Sequence, residues 1–311
     1  MKAITNHTSP ELKTQNHLGP RLDWGLRWYL YVAPMIIVIV GVFGYPLVSV
    51  IRYSFYAGNM NRLIYVGLAN YKAIFQDPVF WISIRNNVFL LISVPIMIVI
   101  AMLLAILLYE AVKGWKFYRS VVFLPYIVSA TVIGITFSYL YQFNGVLNTS
   151  LRAIGLDAIA LDWLGNSHLV VPSVMSVILY QQIGFGVVLF FAQMINLPSE
   201  VFEAAELDGV NWWQKQWLVT IPQLKGVIEF FAITEAINML SWVFNYVYVL
   251  TAGGPGNSSS VLEIYIWRNA FFFRSYGSAS AVATILLIIT VVLIFVYFRI
   301  RSGNMEQRGE S

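Results

Sequence analysis

Six long apolar stretches separated by polar segments dominate the chain. Each reaches the length of about 20 residues that an α-helix needs to cross the hydrocarbon core of a bilayer. The pattern therefore predicts an all-α integral membrane protein with six transmembrane helices. The predicted spans are residues 29–51, 88–109, 121–143, 169–194, 227–250 and 279–298.

The polar segments between and around these stretches define the rest of the organisation. Residues 1–27 and 301–311 are predicted to be cytoplasmic tails, and residues 28–300 one membrane domain that contains a polar loop at 196–225. The segment 59–86 is rich in aromatic residues, which favour the membrane–water interface, so we expect short helices there on the outer side. No internal repeat is visible.

Composition agrees with a membrane protein and excludes several kinds of chemistry. The 311 residues are 59% hydrophobic and only 11% charged, against roughly 45 to 50% and 25% in soluble domains. With no cysteine and three scattered histidines, we expect no metal site, no thiol nucleophile and no catalytic residues. The basic residues flank apolar stretches and do not gather on one surface, so no nucleic-acid partner is expected.

The distribution of Lys and Arg predicts the orientation. Six spans place both termini on one side, and the loops and tails on that side hold twelve Lys and Arg residues against seven on the other. Because cytoplasmic segments carry the excess of Lys and Arg, both termini and the loop 196–225 are predicted to be cytoplasmic.

The loop 196–225 contains an acidic segment with the sequence EAAELDG at residues 203–209. Pro198 can open a helix over 201–208, Gly209 can end it, and Pro222 marks the start of the fifth span. The acids could simply keep a connector soluble. Alternatively, Ala204 and Ala205 form a small flat face beside Glu203 and Asp208 that could dock on another protein.

The fifth span carries polar residues at helical spacing. Glu235, Asn238, Trp242 and Asn245 recur every three or four residues, with Ser241 adjacent, and so share one face of a continuous helix. A carboxylate in a span usually faces the bundle interior or a watery cavity. These residues either line a translocation path or form hydrogen bonds to neighbouring helices.

The acidic loop resembles a known motif. Glu203-Ala204-Ala205, then Gly209, then Val219-Thr220-Ile221-Pro222 is similar to the EAA motif of ATP-binding-cassette importer permeases, with Asp208 typical of the carbohydrate-uptake branch. Further matches run along nearly the whole chain: AP at 33–34, GLANY at 67–71, FLPY at 123–126, NGVLN at 144–148 and LTAGGP at 250–255. The order looks more like the first than the second permease of the heterodimeric pair.

The resemblance implies a fold and an assembly. It implies a type I importer transmembrane domain in the bacterial plasma membrane, paired with a related permease, two ATPase subunits and an external solute-binding protein. Glu203, Ala204, Ala205, Asp208, Gly209 and Pro222 would form the coupling loop that docks on the ATPase. Because the chain has no G-x-x-x-x-G-K-[ST] loop for nucleotide phosphates, we expect ATP and magnesium to bind the partner ATPase and no cofactor to bind here.

The resemblance also implies a substrate path. Positions matching Tyr126, Gln181, Gln182 and Phe185 contact sugar in the maltose permease, as does the stretch from Glu235 to Trp242. Ser129 follows closely after Tyr126. Amides, carboxylates and aromatic rings suit hydroxyl groups and the apolar faces of sugars. The side chains differ from the family's contacts, so a disaccharide, an oligosaccharide, a glycerol phosphate and a compatible solute all stay open.

A competing hypothesis is a self-sufficient transporter. Glu235 could serve a proton-coupled secondary transporter or a channel. An inverted internal repeat with broken helices in both halves would favour that class.

Overall fold

The computed structural model describes residues 24–59, 62–110 and 114–309. The predicted amino-terminal tail therefore lies almost entirely outside the described residues. The chain divides into two compact units between Ser49 and Val50. The last helix continues through the predicted carboxyl-terminal tail as far as Gly309.

Helices make up most of the described chain. The α-helices are α1 Trp24–Ile39, α2 Tyr45–Tyr53, α3 Ala69–Gln76, α4 Pro78–Leu91, α5 Ser93–Tyr109, α6 Trp115–Ile127, α7 Ala130–Leu140, α8 Val146–Ala153, α9 Val170–Ile195, α10 Ser199–Leu207, α11 Trp212–Lys215, α12 Ile221–Asn238, α13 Val243–Leu250, α14 Leu262–Trp267 and α15 Tyr276–Gly309. π-Helical turns occupy Val40–Gly44, Gln216–Thr220 and Arg268–Phe272, and a 3₁₀ turn occupies Asp157–Ile159. Strands β1 (Tyr56–Asn59) and β2 (Arg62–Tyr65) form an antiparallel hairpin that the sequence pattern did not predict.

The membrane spans confirm the predicted fold class. Among the described residues, five helices are long and apolar enough to cross a bilayer, and the number is six when the bent pair α6–α7 is counted as one broken span. The five are Tyr31–Tyr53, Pro78–Tyr109, Val170–Ile195, Trp212–Asn238 and Tyr276–Arg299. The fourth predicted span, 169–194, is displaced by only one residue.

The second span begins ten residues earlier than predicted. Asp77 caps α4 by accepting a 2.8 Å hydrogen bond from the backbone N–H of Val79, and Pro78 occupies the first helical position. Proline suits that position because its N–H would have no partner there. Helix α3 is one of the short helices expected in residues 59–86. The segment after it, where a further short helix is expected, instead begins the second span.

The prediction of one continuous third span is wrong. Helices α6 and α7 meet at an angle of 98°. Pro125 lies in the last turn of α6, Val128 is extended, and the side chain of Ser129 caps α7. Because proline lacks an N–H and a capping serine starts a new helix, these residues end one helix and open another.

The predicted bounds of the fifth span are also wrong. One helical run extends from Trp212 to Asn238, and the chain then turns at residues 239–242 before α13 begins. The second half of the predicted cytoplasmic loop therefore belongs to the span helix. Its start is fixed by a capping box between Asn211 and Gln214, which satisfies N–H groups that the first turn leaves free.

Helix α9 lies at the centre of the second unit. Its buried face packs on α5, α6 and α12, with Phe190 and Phe231 fully buried in the same apolar cluster. A Cβ at Gly184 would lie 2.5 Å from the carbonyl oxygen of Val122, and one at Gly186 would lie 2.8 Å from the Ala101 Cβ. Glycine therefore allows the close backbone approach that is typical of membrane helices.

A row of polar side chains on α4 holds the irregular segment at residues 258–261 and the start of α14. The Asn86 amide donates to the carbonyl oxygens of Ser258 and Ser260 at 2.7 and 2.8 Å. Asn87 accepts from the Leu262 N–H at 2.9 Å and donates to the carbonyl oxygen of Met239 at 3.2 Å, where α12 ends. One buried amide thus joins α4, α12 and the start of α14.

We expect Asn87→Ala to lower the stability of the purified protein markedly. The substitution leaves the Leu262 N–H and the Met239 carbonyl without their partner, at about 1–3 kcal/mol for each buried group. The readout is the midpoint of thermal unfolding. Thr136→Ala is the control, because that exposed hydroxyl bonds only to its own helix. Equal midpoints for the two variants would contradict the assigned role of Asn87.

Candidate functional site

The acidic loop folds as a short helix with a glycine turn, as the sequence predicts. Helix α10 follows Pro198, and Gly209 has a φ of +71°. The Gly209 N–H bonds to the Glu206 carbonyl, and the Val210 N–H to the Ala205 carbonyl. This pattern is a Schellman motif, and its left-handed position favours glycine.

The exposed face of α10 differs from the predicted one. Glu203, Ala204 and Asp208 are exposed, but Ala205 is only 7% exposed and faces inward. Leu207 is 89% exposed and has no place in the predicted docking face. Its exposure follows from the tertiary placement of α10, which sequence periodicity in so short a helix does not reveal.

Helix α10 is braced against two neighbours. The Phe202 ring packs 5.7 Å from the Tyr109 ring at the end of α5. The Lys215 ammonium lies 2.7 Å from Glu206 Oε1 and 5.6 Å from the Phe202 ring centroid. These contacts, which we call the α10 brace, connect the acidic helix to α5 and α11.

A further hydrogen bond joins the same elements. The Trp212 indole N–H donates to Glu110 Oε1 at 2.5 Å, so the start of α11 is tied to the end of α5. Pro222 lies in the first turn of α12, directly after the π-helical turn Gln216–Thr220. Because Pro222 has no N–H to offer, the preceding carbonyls lose a regular donor and the helix widens there.

The break between α6 and α7 gathers several of the predicted path residues. The Gln181 amide of α9 donates to the Val128 carbonyl oxygen at 2.6 Å. The ring of Tyr126 stacks on Phe185 at 5.2 Å with an interplanar angle of 13°. Tyr126 and Ser129 are exposed, whereas Gln181 is buried.

Glu235 is fully buried behind this surface. Its Oε1 accepts a 3.4 Å hydrogen bond from Asn238, and its Oε2 has no partner among the described residues. The Gln181 Oε1 is likewise buried without a described partner. Tyr246 of α13, which the sequence pattern did not indicate, is close enough to Tyr126 and Glu235 to interact with both electrostatically.

The predicted single face from Glu235 to Asn245 is divided by the turn at residues 239–242. Glu235 and Asn238 belong to α12, Trp242 precedes the first turn of α13, and Asn245 lies on α13. Trp242 is 62% exposed, and Ser241 is also exposed. Gln182 and Asn245 are half-buried. The set therefore lines a break and not a regular helix face.

No metal-binding cluster occurs in the described ranges, where no group of three or more His, Asp or Glu side chains converges. The arrangement offers exposed polar and aromatic groups at two helix breaks, with unpartnered acceptors behind them. Such groups can bind hydroxyl donors.

Comparison with known proteins identifies the relatives of this fold. A probable ABC transporter permease, YurN of Bacillus subtilis (strain 168), is 34% identical over 90% of this chain and 97% of its own length. The lactose transport system permease LacF of Rhizobium radiobacter is 33% identical over 88% of this chain and 94% of its own.

A solved structure shows the same fold. A chain of a bacterial alginate ABC transporter, in complex with an alginate pentasaccharide-bound periplasmic protein, superposes with a TM-score of 0.76 at 22% identity, covering 88% of this chain and 93% of the other. The family model described as the inner membrane component of binding-protein-dependent transport systems matches residues 81–302, from α4 to α15. The chain therefore belongs to the family of inner membrane components of binding-protein-dependent transport systems.

Proposed function

We propose that this chain is the permease subunit of an ATP-binding-cassette importer that carries a carbohydrate across the bacterial inner membrane. The observation that carries the proposal is α10, a short exposed helix braced to the ends of two spans, at α5 and at α11. Relatives named for lactose, multiple sugars and arabinooligosaccharides support the solute class.

The proposal includes the partners that such a subunit needs. A second permease would complete the path, and two ATPase subunits would bind ATP and magnesium. An external binding protein would deliver the solute. The twelve-to-seven excess of Lys and Arg supports placing both termini and α10 in the cytoplasm.

Helix α10 would be the contact with the ATPase. Glu203 offers a carboxylate for a basic residue of the partner, Ala204 and Leu207 offer apolar contact, and Gly209 turns the chain back. Movement of the ATPase would pass through the α10 brace into α5 and α11. Since α11 is continuous with α12, this movement would then reach the turn at residues 239–242.

The solute would pass the surface made by the two helix breaks. Tyr126, Ser129, Ser241 and Trp242 are exposed there, and Gln182, Phe185, Asn238 and Asn245 are partly exposed. Hydroxyl groups would pair with the amides, and aromatic rings would pack against the apolar face of a sugar. Gln181 and Glu235 would support this surface from behind until the path opens.

Reconstitution tests the proposal as a whole. The chain is placed in proteoliposomes with a candidate second permease, the ATPase and a binding protein, and uptake of labelled lactose and maltotriose is measured. We expect uptake only with ATP and the binding protein together. Uptake by this chain alone, driven by a proton gradient, would instead support the secondary transporter.

We expect Glu203→Ala to reduce ATP-driven uptake at least tenfold by weakening attachment of the ATPase. Loss of a charge-assisted contact at an interface commonly costs this much or more. Glu203 has no hydrogen bond or ion pair with other described residues, so the thermal midpoint should not change. Glu200→Ala, at the start of the same helix, is the matched control. Full uptake by Glu203→Ala would argue against docking through this residue.

A charge exchange tests the α10 brace. Exposed ion pairs contribute only about 0–1 kcal/mol to stability, so Lys215→Glu should fold normally. We expect it to lower the amount of solute moved per ATP several-fold, because Glu206 and residue 215 then repel. Combining it with Glu206→Lys should restore the ratio. If the single variant keeps the wild-type ratio, the brace does not transmit the movement.

A further inference from the structure

A cavity of about 880 Å³ opens on the second unit, on the side that faces outward in the proposed orientation. It lies between α13, α14 and the start of α4, and we call it the outer cavity. Its volume falls within the range of about 300–1,000 Å³ that is typical of small-molecule sites. Its lining includes Asp77, Tyr248, Trp267, Arg268, Asn269 and Phe272.

Aromatic rings form one wall of the outer cavity. The Trp267 ring lies 5.1 Å from that of Tyr248, which stacks on Phe244 at 5.2 Å and 18°. This packing holds the indole in place before any ligand arrives, which reduces the entropy lost on binding. Tyr248 and Trp267 are only partly buried, so both keep surface that a ligand can contact.

Hydrogen-bonding groups complete the lining. Arg268 donates to Asn257 and, at 2.6 Å, to the Ala252 carbonyl, which engages two of its five N–H groups. The Asn269 side-chain amide donates to the Tyr265 carbonyl at 2.9 Å, and its side-chain oxygen Oδ1 has no partner among the described residues. The Trp267 indole N–H is also unpaired within those residues. The cavity therefore retains both donors and acceptors.

The charges in the outer cavity offset one another. Asp77 accepts from the Val79 N–H at 2.8 Å and from the Tyr265 hydroxyl at 2.6 Å. Burial and the hydrogen bond to Asp77 raise the pKa of Tyr265 well above its usual range, so this hydroxyl stays a donor. One carboxylate and one guanidinium leave a neutral lining, which suits a neutral ligand.

The outer cavity adjoins the surface at the helix breaks. Tyr248 follows Asn245 by three residues on α13, so the two are neighbours on the helix, about 4.5 Å apart along its axis. A ligand in the cavity thus lies one helical turn outside the proposed path residues.

We propose that the outer cavity is a receiving subsite for a neutral oligosaccharide, with Trp267 as the stacking platform and Asn269 and Arg268 as hydrogen-bonding groups. The proposal rests on the carbohydrate importer proposed above. A solute of three or more rings would occupy this subsite and reach toward Trp242. A single ring would occupy either the outer cavity or the surface near Trp242, but not both.

Equilibrium dialysis tests the subsite without transport. The complete transporter without its binding protein is placed in nanodiscs and dialysed against tritiated maltotriose, cellotriose and raffinose. We expect Trp267→Ala to raise the Kd of the trisaccharide that binds best about tenfold, as expected for loss of about 1.4 kcal/mol. Trp267→Phe should stay within about threefold of the wild type.

Two further variants keep the test decisive. Asn269→Ala should weaken binding several-fold even if Trp267→Ala folds poorly. Trp81→Ala should have no effect, since this partly exposed outer tryptophan does not line the cavity. The proposal is overturned if the wild type binds none of the three trisaccharides, or if Trp267→Ala and Asn269→Ala both bind as the wild type does.

Assembly and transport assays distinguish a saccharide subsite from a protein contact. If Trp267→Ala loses co-purification of the second permease, or the docking of the binding protein, the cavity is a protein contact and the subsite is overturned. ATP-dependent uptake of lactose in proteoliposomes is measured on the same preparations. Lactose uptake tests the proposed importer function itself. A transporter that takes up lactose but binds no trisaccharide would therefore contradict the subsite and leave the importer function intact.

Discussion

Two broken helices in this structure depend on amides supplied by neighbouring helices. Inside a bilayer no water reaches the backbone, so a carbonyl freed at a helix break must find a donor within the protein. Gln181 of α9 donates to the Val128 carbonyl at the first break, and Asn87 of α4 donates to the Met239 carbonyl at the second. Each unsatisfied group would otherwise cost about 1–3 kcal/mol or more.

The breaks in turn create the surface on which the proposed path depends. A straight helix would turn its polar residues toward a single neighbour, whereas the breaks expose Ser129, Ser241 and Trp242. The second halves of the two broken helices, α7 and α13, pack on each other. A Cβ at Gly134 of α7 would lie only 3.0 Å from a methyl group of Val249, so glycine permits this close contact.

The α10 brace lies at the other end of the helix that leads to the second break. One helical run of 27 residues extends from Trp212, beside the brace, to Asn238, at the second break. A helix of this length would carry a displacement from the proposed ATPase contact to the proposed path. The outer cavity lies beyond the break on α13, so the proposed coupling contact, path and receiving subsite follow one another along two consecutive helices.

Part of this arrangement could be predicted from the sequence. Apolar length located the spans, and the turn at Gly209 followed from the freedom of glycine to adopt a positive φ. The breaks escaped prediction because apolar residues continue through both of them. Pro125 and Ser129 gave a local signal for the first, but residues 239–242 contain neither proline nor glycine.

The long-range contacts could not be predicted at all. The amide that supports the second break comes from Asn87, 152 residues away in sequence. The inward orientation of Ala205 and the exposure of Leu207 likewise depend on how α10 packs against α5 and α11. Periodicity within nine residues carries too little information to fix which face is exposed.

The absence of cysteine in the chain allows a direct test of the link between α10 and the path. Cysteine is placed at Ser129 or Ser241 in the complete transporter, and its reaction with a membrane-impermeant maleimide is measured without nucleotide and in the vanadate-trapped state. We expect both positions to react, trapping to change their rates, and Glu203→Ala to remove this change. Rates that do not depend on nucleotide, or that keep their dependence in Glu203→Ala, would contradict the proposed link.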